Sequence, residues 1–205
     1  MHPYLLKLGV HPAVQDFFAP YCRSDAAGNL LFDYSAAHET YGLAWHRVPF
    51  AEGLWIAGNE NISAVNRIFI SASAMEAVAW LHYHHAMTRN ADQLCFVATG
   101  SSLAGSKLFR LREMTCGKQC SLLFGNDLLG KVCDLRVAAA LRAQPVAISV
   151  DNDTIGVRFR ATSYKIPADQ FSINKFEKLA SFRFGVQTLK PKGALTWLDG
   201  LTARF

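Results

Sequence analysis

The sequence predicts an α/β fold: a small parallel sheet with helices on both faces, preceded by a β meander and followed by a basic, β-rich extension. Three observations lead there. Between Asn66 and Arg142 short apolar runs alternate with segments of helical spacing, as in βαβ units whose sheet is covered on both sides. Before Asn66 the apolar runs are short and only turn residues separate them. After Pro145 a period of two returns on both sides of a DNDT turn.

The elements follow in order. HPAVQDFFAP (11–20) reads as a short helix closed by Pro20. Leu30–Tyr34, Tyr41–Val48 and Leu54–Ala57 lie between GN, HE and EG pairs and read as the meander. RIFIS (67–71) is a buried strand, and SAMEAVAWLHYHH (73–85) is a helix with apolar residues at 75, 78, 79 and 81. QLCFVATG (93–100) is a second strand and SLAGSKLFRLREM (102–114) a second helix. CSLLF (120–124) is a third strand, and LLGKVCDLRVAAALR (128–142) the helix behind it. VAISVDNDTIGVRFRATSYKI (146–166) is a hairpin, Ser172–Ala180 a short helix, and two aromatic, basic strand-like runs follow. No repeat or Ser/Gly linker divides the chain, which falls into segments 1–65, 66–145 and 146–205.

With 51% apolar and 18% charged residues among 205, the chain has material for a core and is not disordered. It holds no run of about 18 apolar residues, so no membrane span is expected. Met1–Val10 lacks the basic and apolar regions of a signal peptide. An odd number of cysteines, at 22, 95, 116, 120 and 133, points to reduced thiols and a cytoplasmic location. Cys116 and Cys120 have no second pair with which to complete a zinc site.

SLLFGNDLLGKVCDL (121–135) has the outline of a metal-holding turn: a strand, an acidic turn, a glycine and a helix. Strand, helix, strand, helix, strand, acidic turn, helix over residues 66–142 resembles the Toprim domain of topoisomerases and bacterial primases. In that family a glutamate after the first strand and a DxD after a later one gather at the strands' carboxyl ends. Together they hold magnesium for phosphoryl chemistry. RIFISASAMEAVAW resembles the first motif, CFVATGSS the intervening strand, and SLLFGNDLLGKVCDLRVAAAL the second motif. The resemblance puts the glutamate at Ala72 and the first aspartate at Gly125, leaving Asp127 as the surviving acid. It therefore implies a Toprim-like fold that has lost its metal chemistry, and no catalytic activity is expected. GNLLFDYSAAHETYGLAWHR (28–47) loosely resembles the segment before Toprim in primase-like proteins of bacterial mobile elements.

Two acids are candidates for a rebuilt Mg2+ site, Asp127 and Glu76, and each has a structural alternative. Asp127 suits the N-cap of the following helix. Ser73-Ala74-Met75-Glu76 fits a capping box in which Glu76 reaches back to the Ser73 N–H. VDNDTIG (150–156) keeps an intact DxDxxG, but a strand pattern follows it, so Asp151 and Asp153 read as a hairpin turn. His82 and His85 share a helix face without an evident third ligand. ATGSSLAGS (98–106) precedes a helix, as phosphate-binding loops do, without the GK[ST] ending.

Charge is unevenly spread. Residues 1–157 hold 12 Lys/Arg against 13 Asp/Glu, and residues 158–205 hold 9 against 3. The basic residues Arg158, Arg160, Lys165, Lys175, Lys178, Arg183, Lys190 and Lys192 are interleaved with Phe159, Tyr164, Phe171, Phe176, Phe182, Phe184 and Trp197. That composition suits either a solvated face over an aromatic core or a surface for nucleic acid, phosphates on cations and bases on rings. The Toprim resemblance favours nucleic acid, single-stranded DNA above all, or a replication or mobilisation protein as partner. The alternatives are a metal-dependent phosphoryl-transfer enzyme around Asp127 and an interaction scaffold with no nucleic-acid role.

Overall fold

Helices begin and strands pair for identifiable local reasons in the computed structural model, which describes residues 1–59 and 61–203. Helices α1 (Pro3–Lys7) and α2 (Pro12–Phe18) each start with a proline, which has no N–H of its own to satisfy at that position. A histidine stands before each: the ring nitrogens of His2 and His11 accept from the N–H groups of Tyr4 and Ala13. The sequence pattern shows the second helix only.

Strands β1 (Arg23–Ser24), β2 (Leu30–Asp33), β3 (His38–Tyr41) and β4 (His46–Arg47) form an antiparallel meander in that order. The HE pair expected in a turn lies inside β3. The third expected meander strand, Leu54–Ala57, goes elsewhere. As β5 (Trp55–Gly58) it joins the central sheet.

That sheet contains β6 (Arg67–Ser71), β7 (Leu94–Ala98) and β8 (Gln119–Leu122), alternating with α3 (Ala74–Tyr83), α4 (Gly105–Met114) and α5 (Leu128–Leu141). Its order is β12-β8-β6-β7-β5, where β12 is Gln187–Thr188. Four strands are parallel and β5 runs antiparallel to β7. The expected parallel sheet is therefore a mixed one, and its two edge strands come from outside residues 66–145.

Residue alternation sorts the sheet into two faces. Trp55, Phe69, Phe96 and Leu123 pack with α1, α2, α3 and the meander. Ile68, Ile70, Val97, Leu122 and Phe124 pack with α4, α5 and the following segment. Right-handed crossovers explain the split. The chain moves one way from β6 to β7 and back past β6 to β8, so α3 lies on one face and α4 and α5 on the other.

Beyond Pro145, β9 (Val146–Asp151), β10 (Thr154–Phe159) and β11 (Thr162–Pro167) make an antiparallel sheet about the expected DNDT hairpin. Helix α6 (Ile173–Ala180) follows, capped by the Ser172 hydroxyl. Of the two final strand-like runs, the first contains only the two residues of β12. The second is helix α7 (Trp197–Thr202), opened by a reciprocal box between Thr196 and Asp199. Among the described residues no helix is long and apolar enough to cross a membrane.

Candidate functional site at the carboxyl ends of the parallel strands

Open α/β sheets bind ligands outside the carboxyl ends of their strands, where the chain leaves neighbouring strands toward opposite faces. Here that place lies on either side of β6. Leu123 N–H donates to Ile70 C=O at 2.7 Å, and the Ile70–Leu122 register sets Ala72 level with Phe124. The two positions where the resemblance expects acids, Ala72 and Gly125, thus lie at the ends of adjacent strands.

The turn itself is built on contact between two glycines. A Cβ on Gly130 would stand 2.2 Å from the Gly125 carbonyl oxygen, so α5 can begin this close to the strand only with glycine there. Asp127 accepts from Gly130 N–H at 2.8 Å and is the N-cap of α5. Its carboxylate is engaged with its own helix.

Residues 189–198 cross the turn and fill the space beside it. Leu189 N–H donates to Leu122 C=O at 2.9 Å, and Asn126 N–H to Leu195 C=O at 2.7 Å. The Lys190 ammonium donates to the carbonyls of Phe124 and Gly125, each at 2.8 Å, and pairs with Asp134 Oδ2 at 2.6 Å. Two carbonyl oxygens and a carboxylate are a donor set suited to a hard cation, and the protein supplies that cation itself. Asp134 is 1% exposed, and burial pushes its carboxyl up to about 7 against the opposing pull of Lys190. Its other oxygen, Oδ1, is buried without a hydrogen-bond partner.

Glu76 is placed differently from the expected box. The Ser73 hydroxyl does accept from Glu76 N–H, at 3.2 Å. The Glu76 carboxylate reaches not to Ser73 but to α7, accepting from Trp197 N–H at 2.8 Å and Leu198 N–H at 3.3 Å. A buried helix start needs acceptors for its first N–H groups, and α7 finds them 121 residues earlier in the chain. Burial pushes the Glu76 carboxyl up to about 7, and the two N–H donors oppose the shift.

Two further charges, unremarked in the sequence, complete the pattern. Glu39 is fully buried and accepts from the Tyr34 and Tyr41 hydroxyls, at 2.5 and 2.8 Å. It also accepts from Ala74 and Met75 N–H, at 2.8 and 3.1 Å, so a meander carboxylate occupies the start of α3. Burial raises its pKa, and these donors oppose the rise. At the end of β7 the ammonium of Lys107, 1% exposed, donates to the Thr99 and Ser102 carbonyls within the ATGSSLAGS loop.

The basic, aromatic segment separates into an inside and an outside. Phe159, Phe171, Phe176, Phe184 and Trp197 are buried, so these rings are core rather than a platform for bases. Arg158 and Lys165 share the outer face of the β9–β11 sheet, and Lys175, Lys178 and Lys192 are exposed. Arg160 lies in a left-handed turn with its guanidinium 4.6 Å from the Phe182 ring. Arg183 pairs with Glu177 at 3.2 Å.

Asp151 and Asp153 sit at the β9–β10 turn. His82 Nδ1 accepts from His11 N–H at 3.1 Å, and the His11 and His85 rings stack at 4.0 Å, which docks α2 on the end of α3. Cys116 is exposed, Cys120 is buried, and all five cysteines are free. Among the described residues no three of His, Cys, Asp and Glu converge in a group fit for a metal ion. Comparison of the chain with protein-family models, with curated proteins and with solved structures finds no match.

Proposed function

We propose that this chain is a Toprim-like, primase-related protein that does no metal chemistry and binds nucleic acid. One observation carries the first half: the Lys190 ammonium sits on the Phe124 and Gly125 carbonyls and the Asp134 carboxylate, so the protein's own cation occupies these oxygens at the end of β8. With Glu76 on α7 and Asp127 on α5, the acids nearest the turn are engaged as well. The second half is supported by cations that face solvent, among them Arg158, Lys165, Lys175, Lys178 and Lys192. Phosphates on such residues release counterions, so affinity falls with salt.

The test is fluorescence anisotropy of a labelled single-stranded oligonucleotide across salt, with and without Mg2+ or Mn2+. The expected result is binding that weakens steeply with salt and ignores the metal. Binding that requires metal revives a rebuilt site around Asp127. No binding at low salt overturns the nucleic-acid reading and leaves a protein-interaction scaffold.

A further inference from the structure

Four concavities follow one another across the amino-terminal ends of the parallel strands, at the opposite end of the sheet from Ala72 and Gly125. The first, 380 Å³, lies between α4, α5 and the start of β9 and is lined by Phe109, Arg112 and Arg136. The second, 850 Å³, shares Arg112 with it and adds Lys118 and Arg142. The third, 300 Å³, shares Gln119 with the second and adds Arg67. The fourth, 210 Å³, shares Arg67 and Gln119 with the third. Their shared lining residues set them in a row, a trough along that end of the sheet.

Its charge is one-sided. Among the described residues Arg67, Arg112, Lys118, Arg136 and Arg142 line it against the single acid Glu113. Neutral groups hold Arg136, Arg142 and Lys118 in place. Arg136 donates to Leu103 C=O at 3.0 Å, Arg142 to Phe184 C=O, and Lys118 to the Ser63 and Val65 carbonyls at 2.9 and 3.0 Å. Among the described residues the ion pairs involve Arg23, His38, Arg183 and Lys190, none of them in the trough. A guanidinium carries five donors, so Arg136 and Arg142 keep most of theirs for a ligand. Phe109 is 54% exposed, and the Arg112 guanidinium lies 5.3 Å from its ring.

We propose that this trough is the path of a single-stranded nucleic acid, with phosphates on the five cations and a base against Phe109. A row of cations along neighbouring cavities suits a linear polyanion better than one isolated phosphate. An exposed ring beside an arginine suits a base free to leave its partner. The inference rests on the nucleic-acid reading above and places the ligand on a surface which that reading does not include.

The experiment compares the whole protein with Arg112→Gln/Arg142→Gln, with Phe109→Ala, and with Arg158→Gln/Lys165→Gln on the outer hairpin face. The probe is a labelled oligo-dT, titrated across salt. Removing two phosphate contacts should flatten the slope of log K on log salt by about 1.4 and weaken binding about 25-fold at 0.1 M salt. Phe109→Ala should weaken binding about tenfold with the slope unchanged. An unchanged affinity and slope in the trough variants overturns the proposal, as does an equal or larger loss from the hairpin pair. A wild-type protein that fails to bind at low salt instead overturns the parent reading.

A second measurement needs no variant. Cys116 is exposed and lines the 850 Å³ cavity. Its alkylation should slow several-fold under saturating oligonucleotide, and an unaltered rate with oligonucleotide bound overturns the trough.

Discussion

Lys190 and Asp134 meet at 2.6 Å with 2% of the Asp134 side chain exposed, and the same ammonium closes the carbonyls of Phe124 and Gly125. The pair is an internal cation on its counter-ion, set at the end of β8. Breaking such a pair from one side leaves a buried charge alone. Lys190→Met should therefore cost about 3–5 kcal/mol in denaturant unfolding at pH 8. Lys190→Met/Asp134→Leu should recover most of that loss, because it removes both charges together.

Stability should fall as pH rises from about 4.5 to 7. Glu76 sits at about 7 in the fold against an ordinary 4.5, so across that window the folded state holds more protons than the unfolded one. Its contribution is complete below 4.5 and lost above 7, with a slope of at most about 1.4 kcal/mol per pH unit. Asp134, also raised to about 7, adds to the fall with the same sign. Unfolding midpoints from pH 4.5 to 8 measure the slope, and Glu76→Gln should reduce it. An identical slope in that variant would remove Glu76 from the account.

Asp127→Ala should cost about 1 kcal/mol, the ordinary value of an N-cap, through its bond to Gly130 N–H. Thermal unfolding measures it, and nucleic-acid affinity should not change. A loss of metal-dependent activity in this variant would instead make Asp127 a ligand.

The two glycines of the turn should respond to a side chain for different reasons. Gly130→Ala places a methyl 2.2 Å from a backbone oxygen and should cost about 3 kcal/mol. In Gly125→Asp the Cβ meets Asp127 Oδ1 at 2.9 Å and the Leu195 carbonyl at 3.1 Å, so residues 195–196 must shift. About 1–3 kcal/mol should be lost, and magnesium should not restore it while Lys190 holds the neighbouring carbonyls. Unfolding with and without Mg2+ measures both effects.

The elements from Arg67 to Leu141 were legible because short continuous apolar runs alternate there with longer segments, so length and order separate strand from helix. Asp127 was legible as a cap because capping is local. Trp55–Gly58 was not, since a four-residue run between turns looks the same whether it joins a meander or the edge of another sheet. Helix α7 had a signal that went unused: Thr196 and Asp199 are spaced as a capping box, under aromatic residues that suggested a strand. The hold of Glu39 on α3, the place of Lys190 and the carboxylate bonds of Glu76 could not be read locally, because those partners lie far along the chain. The trough was hidden by arithmetic. Dividing the charge at residue 157 buries the fact that residues 66–145 alone hold 9 Lys/Arg against 5 Asp/Glu.

The reach from Glu76 to Trp197 also sets an order in time. During synthesis Glu76 leaves the ribosome 121 residues ahead of the N–H that it will hold. At 5–20 residues per second that is about 6–24 s, long compared with the collapse of the strands around it. β8 and Asp134 are made within that interval, before the Lys190 that pairs with Asp134 in the finished fold. The end of β8 can therefore close on Lys190 only after the whole stretch from Asp134 to Lys190 has been made.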